Sequence, residues 1–278
     1  MNEITIIIIT YKSEKVIYEF IKKIPSSIKT IIIENSQNYE LKKNIEKEYK
    51  NISLFLRKNN GVSSALNFAI DKIQTKYFLQ ISPDIEFNFN DLNFFIQFAK
   101  EKKDNFAAIG PRFLDVKEKS HKQISEKIEF GQIDSVHGSC MFMNKDSFLD
   151  IGKFDENFFL YFEETEFCYR AKKKGYLTYQ INRSKVKSKG RSVDTNIESK
   201  ENFSNLLVWH FIWSKYYFTK KKYGKFVSIF LFTPLICRIL IRILFYKLSK
   251  NEKLLDKYKF RFDGLFKSIL GKKSNLRP

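Results

Sequence analysis

ITIIIITYKSEK, residues 4–15, decides how the rest of the chain is read. The apolar run Ile4–Thr10 is too short to span a bilayer as a helix. It reads as a buried strand, followed by a polar loop. The same pattern then recurs. Val16–Ile24 has helical spacing and stops at Pro25, Lys29–Glu34 (KTIIIE) is a second short strand, and Tyr39–Tyr49 is helical. Ile52–Leu56 is a third strand, Val62–Ile73 a helix, and Tyr77–Ile81 (YFLQI) a fourth strand. Strands and helices alternating at this spacing predict an α/β fold: a mostly parallel, Rossmann-like sheet with flanking helices. In such sheets a ligand lies beyond the carboxyl ends of the strands. The residues just after each strand are therefore the candidates: Thr10 and Tyr11, Glu34 and Asn35, Arg57 to Gly61, and Ser82 to Asp84.

Farther along, Asp91–Lys102 reads as a helix and Ala107–Phe113 as a strand. Residues 114–134 read as a loop or edge hairpin, and Val136–Met143 as a strand. Lys145–Ile151 reads as a short helix ended by Gly152, and Glu163–Lys174 as a helix ended by Gly175, a C-cap signal.

The chain has 278 residues, enough for one large domain or one domain with an appendage. No short Lys/Arg-led apolar segment opens it, so no signal peptide is expected. Its cysteines, Cys140, Cys168 and Cys237, are odd in number and widely spaced. They show neither a disulfide framework nor a zinc pattern, and a reducing cytosol is the simplest reading. The net charge of +19 is unevenly spread. Residues 203–278 hold 17 Lys/Arg against 3 Asp/Glu, net +14, which leaves about +5 for residues 1–202. The division expected is thus a domain over 1–202 and a basic, aromatic helical region over 203–278. Such a tail points to an anionic partner, nucleic acid or an acidic membrane. Residues 226–248 (FVSIFLFTPLICRILIRILFYKL) are apolar, but Arg238 and Arg242 near the middle make a spanning helix expensive. Amphipathic helices lying on an anionic membrane surface are favoured, with no nucleic-acid partner.

Two stretches suggest chemistry. In SPDIEF (82–87), Asp84 and Glu86 follow a strand end, where acids suit a Mg²⁺ or Mn²⁺ ion bridging a diphosphate. Alone, Pro-Asp reads more often as a turn. FDENFFLYFEETEFCYRAKKKGY (154–176) sets Glu163, Glu164 and Glu166 among aromatic residues. Acids in a first helical turn favour the dipole. An aromatic wall would also raise a carboxyl's pKa towards that of a usable base. Glu163 and Glu166 share a face, while Glu164 points about 100° away from Glu163. Which of them faces a site is left open by the sequence.

Taken together, these segments resemble family 2 glycosyltransferases of the GT-A fold, over Ile4 to about Ser192, and the rhamnosyltransferase-like branch of bacterial surface polysaccharide synthesis in particular. IIIITYKS, IIIENSQN, NNGVSSALNFAI, ISPDIEF and VHGSCMFM through KKKGY follow the family's order. The resemblance implies a nucleoside-diphosphate sugar donor contacted by Thr10, Tyr11, Glu34, Asn35, Arg57, Asn60, Gly61, Asn67, Ser82 and Asp84. It implies a Mg²⁺ or Mn²⁺ ion held by Asp84, with Glu86 as a helper. His137, Gly138, Ser139, Phe162 and Glu166 fall on the side of a glycan or lipid-linked acceptor. Glu164, beside Glu163, stands where relatives have a catalytic Asp. The reaction implied is inverting transfer at the cytoplasmic face of the membrane. Two further departures stand out: Ser82-Pro83-Asp84 retains only the second acid of the metal motif, and Ser188 in VKSKGRS replaces a frequent His. A nucleotidyltransferase would carry a glycine-rich loop after the first strand, and TYKSEK has no glycine. A non-catalytic basic binding module would explain the tail but not the strand-end acids.

Overall fold

The computed structural model describes residues 3–115, 123–190, 193 and 197–278. They form two compact units: Met1–Asp155 with Glu163–Asp194, and Glu156–Phe162 with Thr195–Pro278.

The first unit is built on β1 (Ile4–Thr10), α1 (Glu14–Ile21), β2 (Lys29–Glu34), α2 (Tyr39–Glu48), β3 (Ile52–Leu56), α3 (Val62–Lys72) and β4 (Tyr77–Ile81). After these come β5 (Ile85–Glu86), α4 (Leu92–Glu101), β6 (Phe106–Phe113), β7 (Phe130–Gln132), β8 (Cys140–Asn144), α5 (Lys145–Ile151), α6 (Glu163–Lys173) and β9 (Leu177–Ser188). The sheet runs β3-β2-β1-β4-β8-β6-β9-β5, with β7 on β9. β1 pairs in parallel with β2 and β4, and β2 with β3, as the βαβ spacing predicts. β8 enters antiparallel between β4 and β6, so the whole sheet is mixed.

The unbroken isoleucine run of β1 follows from burial on both faces. Ile4, Ile6 and Ile8 join the core formed with Ile17 and Phe20 of α1 and Phe95 of α4. Ile7, on the other face, packs with Leu66 of α3, Phe148 of α5 and Phe167 of α6. Two details differ from the sequence reading. Val136 and His137 are irregular, Gly138 and Ser139 lie in a turn closed by the Cys140 amide on the His137 carbonyl, and β8 begins only at Cys140. β9 had no counterpart in the sequence reading, because Thr178, Gln180, Asn182 and Ser184 are buried polar residues where a strand pattern needs apolar ones. Of the stretch expected as a loop, residues 116–122 lie outside the described residues.

The second unit contains α7 (Ile197–Tyr223), α8 (Lys225–Leu248) and α9 (Glu252–Ile269). Ile212 and Tyr216 of α7, Phe232 and Ile239 of α8 and Leu265 of α9 form its core. The Trp209 indole N–H donates to Asp263 at 2.7 Å. Segment Glu156–Phe162 belongs here too: Phe158 packs on Tyr217, Phe159 stacks on His210, and the Ser214 hydroxyl donates to the Leu160 carbonyl at 2.8 Å. His210 is fully buried between the Ser274 hydroxyl and the Leu276 carbonyl, both at 2.9 Å. Burial pushes its pKa down to about 4.

Helices α7 and α9 meet at Gly264, where a Cβ would stand 2.6 Å from the Trp209 carbonyl oxygen. Helix propensity alone favours alanine there by about 1 kcal/mol. The close approach reverses the sign, and Gly264→Ala is expected to destabilise this unit by about 1–3 kcal/mol. Both tryptophans of the chain lie in α7. Urea unfolding followed by tryptophan fluorescence therefore reads the effect, and a more stable variant would contradict the packing described.

Candidate active site

Parallel register brings the ends of β1, β2 and β3 to one edge. The Asn35 amide donates to the Thr10 carbonyl and the Arg57 amide to the Glu34 carbonyl, each at 2.9 Å. Glu34 is fully buried, and its carboxylate accepts from the Ser36 amide at 2.6 Å and from the Ser36 hydroxyl. The turn thus holds the charge of Glu34 in place. Tyr11 is half-buried beside it, between Thr10 and Lys12, with the Lys12 ammonium 5.5 Å from its ring. Arg57 donates to the Ser64 carbonyl at 2.8 Å and covers the Phe68 ring at 4.4 Å, which fixes a cation at the start of α3. Gly61 precedes α3 with φ 97°, a conformation open to glycine, and no side chain caps the first turn. Asn60 beside it is exposed.

At the end of β4 the chain turns through Ser82-Pro83-Asp84. β5 then pairs antiparallel with β9, matching Ile85 to Ser188. This register sets the Ser188 hydroxyl 3.0 Å from Asp84 Oδ2, as donor. Burial raises the Asp84 pKa, the Ser188 hydrogen bond lowers it, and the charge of Asp115 raises it again. Glu86 is exposed and paired with Lys189 at 3.5 Å. The expected helper acid is therefore engaged outside the Asp84 group.

The Ser82 amide donates to the Ser139 carbonyl at 2.9 Å, tying the Asp84 turn to the turn His137-Gly138-Ser139. His137 Nδ1 lies 2.7 Å from the Ser139 hydroxyl, and its ring rests on Phe113 at 4.5 Å. Gly138 faces Glu164: a Cβ on it would stand 3.3 Å from Glu164 Oε2. The absence of a side chain at 138 thus admits the carboxylate, which also accepts from the Thr165 hydroxyl at 2.9 Å.

The three glutamates of α6 have separate fates, as the helical spacing foresaw. Glu163 and Glu166 are buried, and Glu164 is half-buried. Glu166 accepts a bifurcated hydrogen bond from Arg170 Nε, 2.9 Å to each carboxylate oxygen, and the same guanidinium donates to the carbonyls of Ile151, Gly152 and Lys153. Glu166 therefore locks α6 to the end of α5, a structural role in place of the expected acceptor contact. Glu163 Oε2 is buried without a hydrogen-bond partner among the described residues. Burial and the neighbouring Glu164 charge push the Glu163 pKa well up, and burial raises that of Glu164. Just before α6, Tyr161 and Phe162 have φ of 68° and 69°, a strained conformation for residues with side chains. Phe162 belongs to the second unit, where it packs against Phe211 and Phe218. Asn67, expected at the phosphates, instead exchanges hydrogen bonds with the Phe154 backbone at 2.9 and 3.1 Å.

Thr165, the hydrogen-bond partner of Glu164, went unread in the sequence, and Ser188, noted there as standing in place of a frequent His, is the partner of Asp84. Its pairing with Asp84 depends on β9, which the sequence reading lacked. The donor set at Asp84 suits Mg²⁺ or Mn²⁺, which take one or two carboxylates and draw other oxygens from water and phosphates. Among the described residues no cluster of three His, Cys, Asp or Glu side chains could hold a metal on its own.

A mixed α/β sheet with its parallel strand ends on one edge, facing the acids Asp84, Glu163 and Glu164, has the form of a GT-A-like scaffold. The chain belongs to glycosyl transferase family 2, whose model matches residues 5–152. It is 26% identical over 194 residues to the low-salt glycan biosynthesis hexosyltransferase Agl10 of Haloferax volcanii, and the match spans 62% of each chain. Its fold is similar to that of the mannosyltransferase PcManGT from Pyrobaculum calidifontis, solved with GDP-Man and Mn²⁺: TM-score 0.62, 11% identity, 98% of this chain and 88% of that one. It is also similar to residues 1–349 of TarS from S. aureus, solved with UDP-GlcNAc: TM-score 0.53, 12% identity, 97% and 92% covered.

Two outcomes follow from this geometry. A carboxyl with a raised pKa in the fold opposes stability as pH climbs from the unfolded value of about 4.3 towards the folded one. Glu163→Gln should therefore gain stability over the parent chain above about pH 4.3, with the gap widening as pH rises, in urea titrations across pH. A gap that narrows would overturn the burial argument. Glu166→Ala, which leaves the Arg170 guanidinium without its carboxylate, should cost about 3 kcal/mol, read as a fall in urea midpoint.

Proposed function

We propose that this protein is an inverting glycosyltransferase. It moves a hexosyl or deoxyhexosyl group, rhamnose being the case its sequence resemblance suggests, from a nucleoside-diphosphate sugar to a hydroxyl of a glycan or lipid-linked acceptor. The reading rests above all on Glu164: a half-buried carboxylate with a raised pKa, laid on Gly138, in a turn bonded to the one that carries Asp84. The cytoplasmic face of an anionic membrane is the proposed setting, where a basic second unit meets lipid-carried acceptors.

Each group then has a task. Tyr11, Glu34 and Asn35 flank the base and ribose of the donor, and Arg57 with the uncapped start of α3 favours its diphosphate. Asp84 is the residue that would hold Mg²⁺ or Mn²⁺, and the ion when bound offsets negative charge on the leaving diphosphate. Glu164 accepts the proton of the acceptor hydroxyl. That oxygen forms a bond to the anomeric carbon from the face opposite the leaving group. The bond from carbon to the diphosphate oxygen breaks, and its electron pair leaves with the nucleoside diphosphate. Protonated Glu163 leaves Glu164 as the one carboxylate that ionises in the working range, since like charges so close cannot both form cheaply. Arg170 and Glu166 hold α6 still while the proton moves.

Glu164→Gln should lower kcat by about 10²–10⁴-fold while donor affinity changes less than twofold, with product release from a panel of nucleotide sugars as the assay. Because the base must be ionised, activity should fall as pH drops through the raised Glu164 pKa. Full activity in the Gln variant would remove Glu164 from the reaction. Asp84→Asn should abolish the part of nucleoside-diphosphate binding that depends on Mn²⁺, measured as a thermal shift with and without the ion. An unchanged Mn²⁺-dependent shift would place the metal elsewhere.

A further inference from the structure

α8 is long and apolar enough to cross a bilayer, yet its packing argues for a different placement. One stripe of it, including Ser228, Phe232 and Ile239, is buried in the core of the second unit against Tyr216 of α7 and Leu265 of α9. Those two neighbours are heavily charged: α7 carries Lys215 and Lys220–Lys222, and α9 carries Lys253, Lys257, Lys259, Arg261 and Lys267 among others. Drawing α8 through a bilayer would take these charges into hydrocarbon or strip the core.

The opposite face of α8 is apolar and open. At about 100° per residue, Phe226, Phe230, Ile241, Leu244 and Leu248 all fall within about 40° of Cys237. Phe226 is 85% exposed, Phe230 79% and Leu248 75%. A patch of this kind on a surface marks an interaction site. Its cations sit at the margins rather than in the middle: Arg238 and Arg242 lie about 100–140° round from Cys237 on one side, and Lys247 about 80° on the other. Lys220–Lys222, Lys225 and Lys250 lie at or just beyond the two ends. No acid lies in α8. An apolar face with basic edges matches an anionic lipid surface, with side chains in the acyl boundary and cations at the phosphates.

We propose that α8 lies flat in the headgroup region of an anionic bilayer, its Cys237 line deepest, while its Ser228–Ile239 stripe stays packed on the protein. This deepens the membrane reading above and rests on it for the choice of occupant. It does not depend on sugar transfer.

The chain carries its own probe. Cys140 and Cys168 are buried and Cys237 is exposed, so a thiol-reactive environment-sensitive dye attaches at Cys237 on the folded protein. The Cys237→Ser variant checks the selectivity of labelling. With phosphatidylcholine vesicles containing phosphatidylglycerol, the emission should brighten and shift to the blue. A nitroxide high on the acyl chain should quench it more than one at the bilayer centre. Pure phosphatidylcholine should give a much weaker response. Phe230→Glu with Leu244→Glu, both on exposed positions, should reduce vesicle partitioning at least tenfold with an unchanged thermal melt. Arg238→Gln and Arg242→Gln should each reduce partitioning onto the anionic vesicles about fivefold. No response to vesicles, an equal response to both lipids, or stronger quenching from the bilayer centre would overturn the proposal. So would a blue shift that grows with protein concentration without lipid, which assigns the face to a second copy of the chain. Donor and acceptor are absent throughout, so loss of the transferase reading would leave these outcomes unchanged.

Discussion

The antiparallel pairing of β8 with β4 is the constraint from which the site follows. Parallel strands joined by helices must all end on one edge, and that alone would leave an edge with nothing facing it. A strand running the other way begins where its neighbour ends. Because Cys140 is matched to Ile81, the turn His137–Ser139 falls beside the turn Ser82–Asp84, and one backbone hydrogen bond joins them. Gly138 then receives Glu164. Two acids far apart in the chain, Asp84 and Glu164, are placed by main-chain geometry before any side chain makes a choice.

Side chains decide what the acids do. A buried carboxylate that shares a guanidinium N–H between both oxygens is held for structure, which is the state of Glu166. A buried carboxyl with one oxygen unsatisfied, beside a second carboxylate, favours its neutral form, which is the direction in which burial and Glu164 push Glu163. Glu164 lies between these, partly open with Oε1 accepting from the Thr165 hydroxyl, which is the condition that the proposed proton acceptor needs. The fold tolerates a buried acid with one unsatisfied oxygen and two left-handed residues ahead of it, features that lower stability and concentrate at working sites.

The N-terminal architecture was legible because its pattern is local. β2, β3, β4 and α5 begin and end at the residues where apolar spacing and the Gly or Pro stops placed them. β9 was hidden because its interior is polar: Asn182 donates to the carbonyls of Ser125 and Ile128, and Gln180 bonds to Asn182, so amides do the packing that isoleucines do in β1. The duties of Asn67 and Glu166 were equally unreadable. Asn67 meets Phe154 across 87 residues, and the carbonyls that Arg170 collects come from a different helix. Spacing within a helix said which glutamates share a face. It said nothing about what that face would meet.

The segment Glu156–Phe162 has a consequence for how such proteins diversify. The chain leaves the first unit at Asp155 and returns at Glu163, spending seven residues in the helical unit. Phe158, Phe159 and Leu160 are held there by Tyr217, His210 and Ser214. The helical unit is therefore not a tail that recombination can exchange at a single junction. A relative that acquired a new C-terminal region alone would inherit two aromatic side chains without their sockets, directly upstream of the helix that carries Glu164. Exchange has to carry those seven residues along, so the two parts of the gene are bound to change together.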